Sequence, residues 1–127
     1  MAKMDNYAGK YVDGFVLPVK TDRIEDYRKI ATDFAKVWYE HGALEYVECV
    51  ADDVKPGKVT SFPQSVKLEA DETVVFAWVV YRSREHRDEV MGKVMADPRL
   101  AAMDKAAMPI DGMRMFWGGF KVLVPGA

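Results

Sequence analysis

The stretch TVVFAWVVYRS, residues 73–83, constrains the fold most, because it is apolar at both parities of a strand's two-residue alternation. Val74, Phe76, Trp78 and Val80 face one way and Val75, Ala77, Val79 and Tyr81 the other, so both faces of this strand need cover. A chain of 127 residues supplies helices for one face, and a second copy of the protein is expected to cover the other. Size suggests which face is which. Phe34 and Trp38 come down from the first predicted helix, and large side chains pack best against small or β-branched ones. Val75, Ala77 and Val79 are therefore expected under the helices, and Phe76 and Trp78 against the second subunit.

The rest of the chain falls into order around that strand. Residues 11–19 (YVDGFVLPV) read as a first strand, with Pro18 near its end where a lost ladder bond is tolerated. Asp22 followed by Glu25 has the form of a capping box. Ile24, Tyr27, Ala31, Phe34 and Trp38 then recur at helical spacing until Gly42 ends the helix. Residues 44–54 alternate as a second, more polar strand suited to a sheet edge, with Leu44, Tyr46, Glu48 and Val50 on one face. Residues 55–72 are too long for a hairpin loop. With Val59, Phe62, Val66 and Leu68 they are expected to be ordered and packed, with a short helical turn from Ser61 to about Lys67. Ser83 caps a second helix, Asp97 and Pro98 begin a short third one ending near Asp104, and residues 112–124 form the last strand. In that strand Gly118 and Gly119 mark a bulge or a close backbone approach. Strand, helix, strand, strand, helix, strand is the split βαβ plan, so the fold class is α+β, ferredoxin-like, with a four-stranded antiparallel sheet in one domain over residues 1–127.

Composition narrows the function classes. No apolar run approaches the ~18 residues of a membrane span. A formal net charge of −2 with both signs interspersed leaves no basic stripe for nucleic acid. A single cysteine and the absence of an apolar run behind the lysines of MAKMDNYAGK point to the cytoplasm. No glycine-rich phosphate loop or serine elbow is present, so no cofactor is expected.

The segments YVDGFVLPV, KVWYEHGALEYVECVADDVKPGKVTSFPQSVKL, ETVVFAWVVYRSREHRDEV and KVMADPRL together resemble the YbaA-like family of small uncharacterised bacterial proteins, over nearly the whole chain. The resemblance implies a dimeric α/β barrel, in which two ferredoxin-like sheets pack face to face with helices outside. It implies no established activity. Cofactor-independent monooxygenases have a similar fold, which assigns no function by itself.

The topology predicts that His41, at the end of the first helix, and His86, at the start of the second, converge at one end of the sheet, with Glu45 and Tyr81 nearby. Four such groups suit acid–base chemistry, or a metal site with a carboxylate as third ligand; equally, two rim histidines suit capping. No HxH or HxxE spacing favours a metal, and none is expected. Cys49 reads as an inert thiol. Asp13 and Glu48 are carboxylates in apolar strands that need partners, and Arg114 is a candidate partner for Asp13. Six of the eight methionines lie between Met91 and Met115, where they fill core gaps or line an adaptable ligand surface. Trp38, Trp78 and Trp117 suit either a pocket wall or core and dimer packing.

Three readings follow. The leading one is a homodimer that binds a small, partly apolar molecule between sheet and helices, with Trp38, Ser61, Phe62, Gln64 and Arg114 as candidate ligand contacts. The second is a cofactor-independent oxidative or isomerising enzyme using His41 and His86, assisted by Glu45 or Tyr81. The third is a structural or protein-interaction dimer without a pocket. A cavity touching the two histidines favours the enzyme, one under residues 61–64 favours a binder, and a filled core favours the third.

Overall fold

A computed structural model describes residues 6–103 and 107–126. Its elements are β1 (Tyr11–Lys20), α1 (Ile24–Glu40), β2 (Glu45–Val50), α2 (Phe62–Ser65), β3 (Glu72–Tyr81), α3 (Arg84–Met95), α4 (Pro98–Ala101) and β4 (Phe116–Lys121). The four strands form one sheet in the order β2-β3-β1-β4, with every pairing antiparallel. This is the ferredoxin-like arrangement that the element order predicts.

Several boundaries differ from the sequence reading, each for a local reason. Asp22 does not cap α1: it lies in a 3₁₀ turn, Thr21–Arg23, that leads into the helix, and Arg23 at the cap position offers no side-chain bond. Ser83 and Asp97 do cap, accepting from His86 N and Arg99 N at 3.0 and 2.9 Å. β4 begins at Phe116, because Asp111 first folds the chain into a turn, accepting from Met113 N at its side chain and Arg114 N at its carbonyl. Gly42, at φ 116°, ends α1 in a conformation that a residue with a Cβ adopts only under strain.

The register fixes the two sheet faces. Tyr11 pairs with Tyr81, Phe15 with Ala77 and Leu17 with Val75, so these residues share the face under α1 and α3. There Tyr11, Val37, Trp38, Val79, Tyr81, Val90 and Val94 form one buried cluster, and Leu17, Val19, Tyr27, Ala31 and Val75 another. The other face carries Phe76 and Trp78, as size matching predicts.

The chain covers part of that second face itself. Val66, from the long loop, is buried against Val16 and Val74, with Ala51 and Leu68 beside them. Arg114 clamps the loop in place. It donates to both Glu72 carboxylate oxygens at 2.7 Å, to Asp111 at 2.9 Å and to the carbonyls of Val66 and Lys67. Lys67, at φ 49°, stands in the left-handed region. The loop is thus ordered at its apolar end, while Val59 is 94% exposed. Beyond this cover the face lies open in the single chain, with Phe76 42%, Phe116 47% and Phe120 64% exposed.

Candidate functional site

Between the sheet and the helices lies a cavity of about 870 Å³, within the size range of small-molecule sites. Its floor is the helix-side face of the strands: Phe15 and Leu17 from β1, Ala77 and Val79 from β3, Trp117 from β4. Its walls are Tyr27, Phe34 and Trp38 of α1 and Met91 and Met95 of α3, with Leu100, Met103, Met108, Ile110 and Met115 from the segment before β4 also lining it. The cavity arises because Ala77 is small where the sheet is widest, and because that segment flanks it with one short helix and flexible methionines.

Among the described residues one charged side chain lines this apolar space. Glu48 projects from β2 on the same face as Tyr46, since residues two apart on a strand point the same way. Tyr27, from α1, donates its hydroxyl to Glu48 Oε1, and Tyr46 donates to Oε2 at 2.7 Å. Both phenols are held in their protonated form, first by burial and then by the Glu48 charge. A smaller cleft of about 290 Å³ adjoins, lined by Arg28 and Cys49 and sharing Tyr27, Tyr46 and Glu48 with the large cavity. The Tyr27–Glu48–Tyr46 group therefore borders both spaces. A carboxylate held by two neutral donors in an apolar chamber can accept a hydrogen bond from a ligand or pair with a cation.

The histidine end is arranged differently. His41 and His86 do lie at one end, for a Cβ built on Gly42 would sit 3.3 Å from His86 Nε2. Each imidazole is nevertheless engaged separately. His41 Nε2 contacts Asp97 Oδ2 at 2.8 Å, beside the Asp97–Arg99 pair that holds the Asp97 carboxyl well below its usual range. His86 Nδ1 accepts from Arg82 N at 2.9 Å, and the ring packs edge-on to Tyr81. Burial, then Arg82, lowers the His86 pKa. Glu45 projects from the opposite sheet face, opposite Val80, where it accepts from Trp78 Nε1 at 3.0 Å and from the Tyr7 hydroxyl. Tyr81 points under the helices and accepts from Trp38 Nε1 at 3.2 Å. The four candidate catalytic residues thus share an end of the domain but no common site, and neither histidine lines either cavity. Among the described residues no three His, Cys, Asp or Glu side chains are grouped to hold a metal ion.

Of the candidate ligand contacts, Trp38 lines the large cavity. Ser61 and Gln64 bond within their own turn, and Phe62 packs edge-on to Phe76 on the other sheet face. Arg114 is engaged in the loop clamp and is not the partner of Asp13. The strand register explains why: Asp13 lies opposite Gly119, whereas Arg114 precedes β4. Asp13 instead accepts from Arg87 Nη1 at 2.6 Å.

Sequence reasoning missed Tyr27 and Tyr46 as a pair around Glu48. The signal was present, for a carboxylate on an apolar strand needs donors, Tyr46 is two residues away on the same face, and Tyr27 is on the apolar stripe of α1.

Residues 10–112 match the family described as protein of unknown function DUF1428. The protein YbaA of Escherichia coli strain K12 is 48% identical over 115 residues, covering 91% of this chain and 97% of its own. YbaA of Shigella flexneri matches to the same extent. Among solved structures the chain is similar to SnoaB, a cofactor-independent oxygenase from Streptomyces nogalater, with a TM-score of 0.54 at 12% identity over 92% of this chain and 96% of that one; this likeness is one of fold. Matched over most of its length, and nearly half identical to YbaA, the chain belongs to the DUF1428 family.

Proposed function

We propose that the protein is a cytoplasmic homodimer whose subunits each bind a small, largely apolar molecule between sheet and helices. The observation that carries this reading is the cavity of about 870 Å³, walled by aromatic rings and five methionines. Rigid rings give shape and flexible thioethers give adaptability, a combination suited to a ligand and costly if left empty. Catalysis at His41 and His86 gains no support from the geometry, because each ring has its own structural partner outside the cavity.

The dimer rests on the open sheet face. Phe76 of β3 and Phe116 and Phe120 of β4 are exposed on the same sheet face, on the two strands that flank β1, and apolar patches of this kind on soluble chains mark association surfaces. A second copy presents the same face, so it matches in chemistry. The reading of the cytoplasm is supported by the exposed free thiol of Cys49, which suits a reducing compartment.

Nile red, a neutral apolar dye, tests the cavity. It is expected to bind the wild type and to lose that binding in Ala77→Phe, which fills the chamber. Undiminished binding in that variant would move the site elsewhere. Light scattering tests the dimer: wild type is expected to be dimeric at micromolar concentration and Phe120→Asp monomeric yet folded. A monomeric wild type would refute the assembly.

A further inference from the structure

We infer that the cavity selects an apolar molecule carrying one positively charged amine, held by Glu48; this deepens the ligand-binding reading above and rests on it. Among the described lining residues Glu48 is the one acidic side chain, and none is Lys, Arg or His. No ion pair to Glu48 is formed among the described residues either. Arg28, which lines the adjoining cleft, pairs with Glu25 at 2.9 Å.

The two phenols use one acceptor position on each carboxylate oxygen. A carboxylate has about four such positions, so acceptor capacity remains toward the chamber. Tyr27 and Tyr46 supply hydrogen bonds but no charge. When an apolar ligand displaces water from the chamber, Glu48 loses solvation that neutral donors replace only in part. A ligand anion makes this worse and a neutral ligand leaves it uncompensated. A ligand ammonium group answers it, donating hydrogen bonds and cancelling the charge in one group. The rings of Tyr27, Tyr46 and Trp38 add to the preference, since their faces attract cations. The surrounding wall of aliphatic and thioether groups then requires that the remainder of the ligand be apolar.

Four probes with one ring system and different single substituents test this: 1-naphthylmethylamine, 1-naphthalenemethanol, 1-methylnaphthalene and 1-naphthoic acid. Binding is followed by calorimetry at neutral pH. The expected order of affinity is ammonium, alcohol, methyl, carboxylate, with the ammonium favoured over the methyl compound roughly tenfold or more, the scale of a charge-assisted hydrogen bond. In Glu48→Gln the ammonium advantage and the carboxylate penalty should both vanish while 1-methylnaphthalene binds as before. Tyr46→Phe, which keeps the charge, should keep the order.

Equal affinity for the ammonium and the carboxylate in wild type would overturn the inference and leave the cavity reading intact. An order that survives in Glu48→Gln would do the same. Failure of all four probes to bind the wild type would overturn both.

Discussion

Asp13 and Glu48 are carboxylates on the same face of one sheet, on the two strands that flank β3, opposite Val79 and Ala77 respectively. Their surroundings differ in burial and in how the charge is answered. Asp13 is wholly buried and is answered by a cation, Arg87 of α3, whose guanidinium also lies 5.1 Å over the Tyr11 ring. Burial raises the Asp13 pKa and Arg87 opposes the rise. Glu48 is answered by two neutral hydroxyls and lines the chamber. A buried charge answered by a cation of the fold belongs to the structure; a half-exposed one with hydrogen bonds but no ion pair among the described residues, beside a chamber, is where the proposed ligand would act.

The largest effect should come from breaking the Asp13 pair. Arg87→Met leaves a buried carboxylate with no cation, which costs about 3–5 kcal/mol. Replacing both partners, Asp13→Val with Arg87→Met, should restore much of that loss, because two apolar side chains need no compensation. Urea denaturation measures both. If Arg87→Met cost no more than about 1 kcal/mol, the charge of Asp13 would already be compensated by other means, and the contrast with Glu48 would fail.

A smaller effect is expected where the strand backbone makes room for that pair. A Cβ on Gly119 would lie 2.3 Å from the Tyr11 hydroxyl, so the Tyr11 ring lies across the glycine in the neighbouring strand. Gly119→Ala must displace the ring on which Arg87 rests, at about 1–3 kcal/mol. A melting temperature equal to wild type would show that Tyr11 moves without disturbing Arg87.

Much of the frame was legible in the sequence for reasons these residues make plain. A strand apolar at both parities must be central and doubly covered, and the Ser83 and Asp97 caps place the starts of α3 and α4, while the end expected near Asp104, which lies outside the described residues, comes at Ala101. Three-dimensional pairing was not legible. Glu48 announced a need for donors, but whether Tyr27 of α1 reaches it depends on how the helix crosses the sheet, which no periodicity specifies. Strand adjacency alone pairs Arg114 with Asp13. The turn at Asp111 delays β4 and turns that arginine to Glu72, whose carboxyl it lowers to about 2. The cover of the second face was half legible: the loop carries apolar residues, yet that Val66 covers Val16 and Val74 follows from the Arg114 clamp.

The Glu48 side of the comparison predicts a milder loss. Tyr46→Phe removes one donor, but Glu48 remains partly exposed and water can replace the hydroxyl, so the cost should be about 1 kcal/mol. Glu48→Gln should cost no more. Stability curves showing either variant as damaged as Arg87→Met would mean that Glu48 belongs to the structure, as Asp13 does, and would weaken its role as a ligand contact.

The smallest effect asks whether the histidine end resembles Asp13, with its protonation set by burial. His86 accepts a backbone hydrogen bond at Nδ1, so a proton there would break that bond as well as place charge in a buried ring. Its pKa is accordingly lowered from the ordinary 6.5. The sign follows from linkage. Below about pH 6.5 the unfolded chain binds a proton that the folded chain does not, so stability falls with falling pH until the folded pKa is reached, and levels off beneath it. Above pH 7 the group contributes no slope. Each unit of lowering corresponds to at most about 1.4 kcal/mol. Imidazole resonances followed by NMR should show His86 titrating below the ordinary value. The slope of stability between pH 6.5 and the folded pKa should flatten in His86→Gln, whatever that variant's absolute stability. A His86 resonance that titrates above the ordinary value would mean that the ring accepts a proton readily, reopening this end of the domain to acid–base chemistry.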